Sequence, residues 1–198
     1  AIEFVKLIAT AKGTSQAKYA SQMLESEEFL KRDDAFELTE IITNAKGGMQ
    51  AEYASSIFDD EDIQANGNIV ELTRIVANAN DGRPTIYSYQ LCLTSSVLKS
   101  GKALEIVQMI ANSSSTNRNL YHARNAAQND SVLQHEKGVQ IVELILNAKT
   151  EQQAKYASIL AMDERFLQKE MAFTILKFIT NTENLEQAKF LYETIKYQ

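Results

Sequence analysis

An aromatic residue returns at a nearly fixed interval along this chain: Tyr19, Tyr53, Tyr87, Tyr121, Tyr156 and Phe190, at spacings of 34, 34, 34, 35 and 34 residues. This period constrains the fold more tightly than composition does. A unit of that size cannot bury a core alone and must lean on copies of itself. The interval divides the 198 residues into repeats 1–34, 35–68, 69–102, 103–137, 138–171 and a partial 172–198. One elongated domain is therefore expected, where length alone would allow one or two globular ones.

Each repeat opens with an apolar stretch. Aligned on the period, its core columns read Phe4, Leu38, Leu72, Ile106, Ile141, Ile175; then Leu7, Ile41, Ile75, Met109, Leu144, Phe178; then Ile8, Ile42, Val76, Ile110, Ile145, Ile179. Positions three and four apart share one side of an α-helix, so a first helix is predicted over roughly 2–12 and its counterparts. A turn rich in Gly, Ser, Asn and Asp follows. A second helix then carries small residues on one face, as in Ala17-Lys18-Tyr19-Ala20 and Ala154-Lys155-Tyr156-Ala157, where two helices can approach closely. A Ser or Asp shortly before an apolar residue, as at Ser26, Asp60 and Asp163, predicts a short third helical element. The expected fold is all-α: an α-solenoid, or superhelix, of about six 34-residue repeats, each with two longer helices and a short third element. The chain starts in phase with a repeat, stops inside a second helix and shows no polar capping repeat, which reads as a segment of a longer array.

Twenty basic residues stand against 26 acidic ones, a net charge of −6 spread along the chain, which disfavours nucleic acid as the main partner. No apolar run approaches the ~18 residues that span a bilayer, so no membrane insertion is expected. One cysteine, Cys92, in an apolar column, excludes an intramolecular disulfide. Together with the lack of a secretory signal pattern it favours a cytoplasmic setting. No phosphate-binding glycine loop, HExxH or glycine-flanked nucleophilic serine is present, and the two histidines, His122 and His135, have no cysteine partner. The expectation is a protein that is not an enzyme and uses no cofactor or metal.

Function is then to be sought in columns that packing does not require. An amide-rich column reads Thr10, Asn44, Asn78, Asn112, Asn147, Asn181. Asn is a poor residue inside a helix. It ends the first helix, using left-handed geometry or a bond to free carbonyls, or forms a ladder of amides that grips an extended peptide, and the two can coexist where amide atoms remain free. Seven residues earlier runs an acidic column, Glu3, Glu37, Glu71, Glu105, then Gln140 and Thr174. Between them lies a variable one: Lys6, Glu40, Arg74, Gln108, Glu143, Lys177. These fall on nearly one helix face. They fit either a solvated surface or a contact surface for a protein or extended peptide, with the acids favouring a basic partner. The candidate partner-binding residues are Asn44, Asn78, Asn112, Asn147, Asn181, Glu37, Glu71 and Glu105. The rival uses are a nucleic-acid-binding repeat and a spacer without a ligand.

Three further features carry expectations. The aromatic column is expected to pack ring by ring between repeats. A column opening the second helix, Gln16, Gln50, Pro84, Arg118, Gln153, Gln187, reads as a helix-start preference. In the fourth repeat the one inserted residue is expected between Tyr121 and Val132, with Asn119 and His122 in the places of Ala17 and Ala20. In period the chain is similar to tetratricopeptide, pentatricopeptide and Pumilio-type arrays, and an asparagine ladder resembles the way armadillo proteins hold extended peptides. The residues follow none of these motifs: Ile8, Ile42 and Val76 stand where the tetratricopeptide pattern places glycine, and no repeat ends in proline. No functional residue is therefore carried over from a family.

Overall fold

A computed structural model describes residues 2–64, 67–114 and 116–196. Among them the chain is all-helical and contains no strand. The first interval holds α1 (Ile2–Ala9), α2 (Thr14–Met23) and α3 (Glu27–Leu30). The second holds α4 (Ala35–Thr43), α5 (Gly48–Ser55), a 3-10 turn (Ser56–Asp59) and α6 (Glu61–Gln64). Then come α7 (Ile69–Ala77), α8 (Gly82–Cys92) and α9 (Ser95–Lys99), followed by α10 (Ala103–Ala111), α11 (Leu120–Ala127) and α12 (Asp130–Gln134). The last are α13 (Gly138–Leu146), α14 (Glu151–Ala161), α15 (Glu164–Leu167), α16 (Ala172–Asn181) and α17 (Leu185–Lys196). The first helices are shorter than the sequence pattern suggests, because the turn begins at the asparagine column.

Packing follows the order of the chain. Each first helix lies against the next first helix (α1 on α4, α4 on α7, onward to α13 on α16). Each second helix lies against the next second helix and also against the first helix that follows it. The core is the strip between the two rows. Leu38, Leu72, Ile106 and Ile141, one per repeat, are fully buried there. Ala20, Ala54, Ala123 and Ala157 are fully buried where the second helices pack. Cys92 is fully buried as well, and burial pushes its thiol up to about 12, which leaves it protonated at neutral pH. Side chains cap the short helices at Ser26 and Asp163, where Ser26 Oγ accepts from the Phe29 amide at 3.2 Å and Asp163 Oδ1 from the Arg165 amide at 3.0 Å, whereas Thr94 before α9 makes no such bond. In the fourth repeat the cap is Asn129, one residue before Asp130, with Oδ1 3.0 Å from the Ser131 amide.

Neighbouring repeats are joined by a polar seam along the turns. The amides of Lys12, Lys46, Asn80 and Lys149 donate to the carbonyls of Thr43, Ala77, Ala111 and Thr180 in the following repeat, at 2.8–3.1 Å. Beside this runs a row of buried amide side chains. Gln16 Nε2 donates to the Ala45 carbonyl at 3.2 Å, Gln50 to Ala79 at 3.1 Å, and Gln153 to both Ile179 at 2.9 Å and Thr182 at 2.8 Å. The glutamine column is thus more than a helix-start preference. It satisfies turn carbonyls that packing has cut off from water. Gln153→Ala is expected to lower stability by about 1–3 kcal/mol, the cost of an orphaned buried acceptor, read by chemical denaturation. A change under a few tenths would mean that water replaces the amide.

The same seam locates the inserted residue. Asn119 is buried and donates to the Ala148 carbonyl at 2.6 Å, the bond that Gln16, Gln50 and Gln153 make in their repeats. Leu120 and Ala123 are buried, in the places of Ala17 and Ala20. The insertion therefore lies in the turn before α11, not between Tyr121 and Val132. Asn119 takes the glutamine place and His122 the tyrosine place.

Candidate binding face

The aromatic column packs across the second-helix row. Tyr53 meets Tyr89 of the next repeat at 5.1 Å between ring centres, and Tyr156 stacks on Tyr192 at 4.5 Å with planes 16° apart. Across the insertion the partner of Tyr87 is Arg124, whose guanidinium lies 5.0 Å from the ring centre. Tyr121, displaced by one residue, is 51 % exposed and touches the His122 ring edge-on. A pocket of about 710 Å³ opens beside it, lined by Arg118, Tyr121, His122, Thr150, Glu151, Gln152 and Lys155. Partial burial lowers the His122 pKa and Lys155 adds to this, against the pull of Glu151. A second groove, of about 570 Å³, lies where the first and second repeats meet, above the tilted pair Phe29 and Phe58 (5.6 Å).

The first-helix row presents a different surface. Glu3, Glu37, Glu71, Glu105, Gln140 and Thr174 are all exposed, and so are the variable column and the asparagine column. The fold thus brings the three columns to one open face, as their spacing predicts. The face carries Glu3, Glu37, Glu40, Glu71, Glu105 and Glu143 against Lys6, Arg74 and Lys177, an acidic excess. Part of it is paired: Arg74 reaches Glu37 of the preceding repeat at 2.6 Å and Glu71 of its own at 3.5 Å. Glu105 makes no ion pair with the described residues.

Asn44, Asn78, Asn112 and Asn147 are each the C-cap residue of their helix, while Asn181 closes α16 from inside. None takes the left-handed backbone, since no residue other than glycine has a positive φ among the described residues. The cap is made by the side chain instead. Nδ2 of Asn44, Asn78 and Asn181 donates to the carbonyl four residues back, Glu40, Arg74 and Lys177, at 3.0, 2.9 and 2.8 Å. These three amides keep Oδ1 without a donor among the described residues. Asn112 differs: its Oδ1 accepts from Gln108 Nε2 at 3.0 Å. Three amides of the column therefore cap their helices and keep an acceptor each, whereas Asn112 spends its oxygen on Gln108.

The chain matches no protein-family model, no curated protein and no solved structure. None of the helices among the described residues is long and apolar enough to cross a membrane.

Proposed function

We propose that the chain is an α-solenoid of about six 34-residue repeats, and that it serves as a scaffold binding a protein or extended peptide along its first-helix face. The supporting observation is the register of that face: the exposed carboxylates of Glu37, Glu71 and Glu105 share it with the asparagine column, in which Asn44, Asn78 and Asn181 keep an amide oxygen without a donor among the described residues. A row of acceptors matches a partner rich in donors, namely an extended backbone bearing Lys or Arg. The acidic excess and the rings already paired within the second-helix row favour a polypeptide over a polyphosphate.

The test is a set of basic extended peptides, titrated against the protein and followed by amide chemical shifts. Binding is expected to perturb α4, α7 and α10, to weaken severalfold with Glu71→Gln or Asn78→Ala, and to fall with salt. Asn78→Ala alone should leave folding stability within about 1 kcal/mol, the net worth of one hydrogen bond. Peptides that shift only the second-helix row, or that bind equally well after both substitutions, would overturn this reading.

A further inference from the structure

Each ring of the second-helix row faces one position in the repeat that follows. In register these positions read Ser55, Tyr89, Arg124, Ser158 and Tyr192, opposite Tyr19, Tyr53, Tyr87, His122 and Tyr156. Three of them send a planar group onto the ring they face. Tyr89 lies 5.1 Å from Tyr53 and Tyr192 4.5 Å from Tyr156, between ring centres, and the Arg124 guanidinium 5.0 Å from the centre of Tyr87. Ser158 is buried, with its hydroxyl 3.3 Å from the His122 carbonyl. Ser55 is partly exposed and carries no planar group, and its hydroxyl donates to the Glu52 carbonyl of its own helix at 2.8 Å. The place that a flat side chain fills at three later junctions is therefore open here. It is the groove of about 570 Å³ described above, with Tyr19 and Ser55 in its lining and Phe29 and Phe58 at its floor.

We propose that this groove binds an arginine side chain of a partner polypeptide, its guanidinium laid on Tyr19 as that of Arg124 lies on Tyr87. Shape alone would admit a tyrosine, as Tyr89 shows; charge decides for arginine. Glu28 and Glu52 line the groove and make no ion pair with the described residues. Arg32, the cation of the lining, is already engaged: its Nε and Nη2 donate to the two Asp34 oxygens at 2.8 and 2.9 Å. Glu52 stands beside the Tyr19 hydroxyl, and partial burial followed by this carboxylate raises the Tyr19 pKa. A cation within about 6 Å of a ring centre is attracted to it. Lys18, which is not in the groove lining, already holds its Nζ 5.1 Å from the centre of the Tyr19 ring. A guanidinium adds what an ammonium lacks: it lies flat on a ring while its edge donates to carboxylates.

Titration of the full chain with N-acetyl-arginine amide, followed by amide and tyrosine-ring chemical shifts, tests this. Shifts are expected at Tyr19, Ser55 and Phe58. The equally capped lysine and tyrosine are expected to bind severalfold more weakly, the first lacking the plane and the second the charge. Free arginine should also bind more weakly, because its carboxylate meets Glu28 and Glu52. Ser55→Tyr supplies the ring that Tyr89 supplies one repeat further on, and is expected to abolish the shifts. Glu52→Gln, at an exposed position, is expected to weaken them severalfold and carries the test if the larger substitution disturbs the helix content read by circular dichroism. Absence of shifts in the groove, equal binding of capped lysine or capped tyrosine, tighter binding of free arginine, or binding that Glu52→Gln or a folded Ser55→Tyr leaves intact would each overturn the proposal. The groove lies on the second-helix row, so this reading and that of the first-helix face can fail separately.

Discussion

Truncating Tyr156 to alanine is expected to cost about 3–5 kcal/mol, the range for large buried aromatics. The ring is 9 % exposed and stacked on Tyr192, so its loss opens a cavity between α14 and α17 and strands the partner ring. A pair of this geometry contributes about 0.5–1.5 kcal/mol beyond the area it buries. Denaturant titration followed by circular dichroism gives the number. The control lies in the same sequence column. Tyr121→Ala is expected to stay within about 1 kcal/mol, because that ring is largely in solvent and surface substitutions are usually mild. Equal costs at the two positions would mean that the rings do not join repeats.

Leu72→Ala is expected to cost about 2–5 kcal/mol, the range for a fully buried leucine whose site collapses incompletely. Its place near the middle of the chain adds a second effect. Among the described residues the main helix–helix contacts run between intervals adjacent along the chain, and on the stacked-array reading stability is then close to a sum of local and nearest-neighbour contributions. A weakened centre lets the two sides melt separately. The expected signature is a lower denaturant slope along with the lower midpoint, since less surface is exposed in each step. A drop in midpoint with an unchanged slope would show that the array still unfolds as one unit.

Where the chemistry lay in side chains repeating at a fixed interval, the sequence was enough. The helical class, the core columns at Leu38 and Leu72, and the exposure of the glutamate and asparagine columns all follow from positions three, four and seven apart. The glutamine seam did not. Gln16 and Gln153 bond to main-chain carbonyls of another repeat, and a carbonyl leaves no trace in residue identity. The fourth repeat misled for a different reason. Tyr121 keeps the 34-residue spacing while the helix has shifted by one, so an aromatic stands in register beside the histidine that occupies the place. The burial pattern Leu120, Ala123, Ala127 carries the true phase, and small residues signal it weakly. The capping bonds of Asn44, Asn78 and Asn181 answer to one of the two readings the column allowed, and the free oxygens they leave keep the other compatible with it.

The hydrogen bonds from the turn amides of Lys12, Lys46, Asn80 and Lys149 to the following repeat involve the main chain alone. A seam of that kind is indifferent to which side chains flank it. On the stacked-array reading, a unit that brings this amide and carbonyl can be duplicated or exchanged without rebuilding the joint; the fourth repeat departs from it, since there the side chains of Asn117 and Asn119 donate to the Leu146 carbonyl. The outward columns are then released to diverge unit by unit, and new combinations of surface can arise by shuffling modules without rebuilding the frame that holds them.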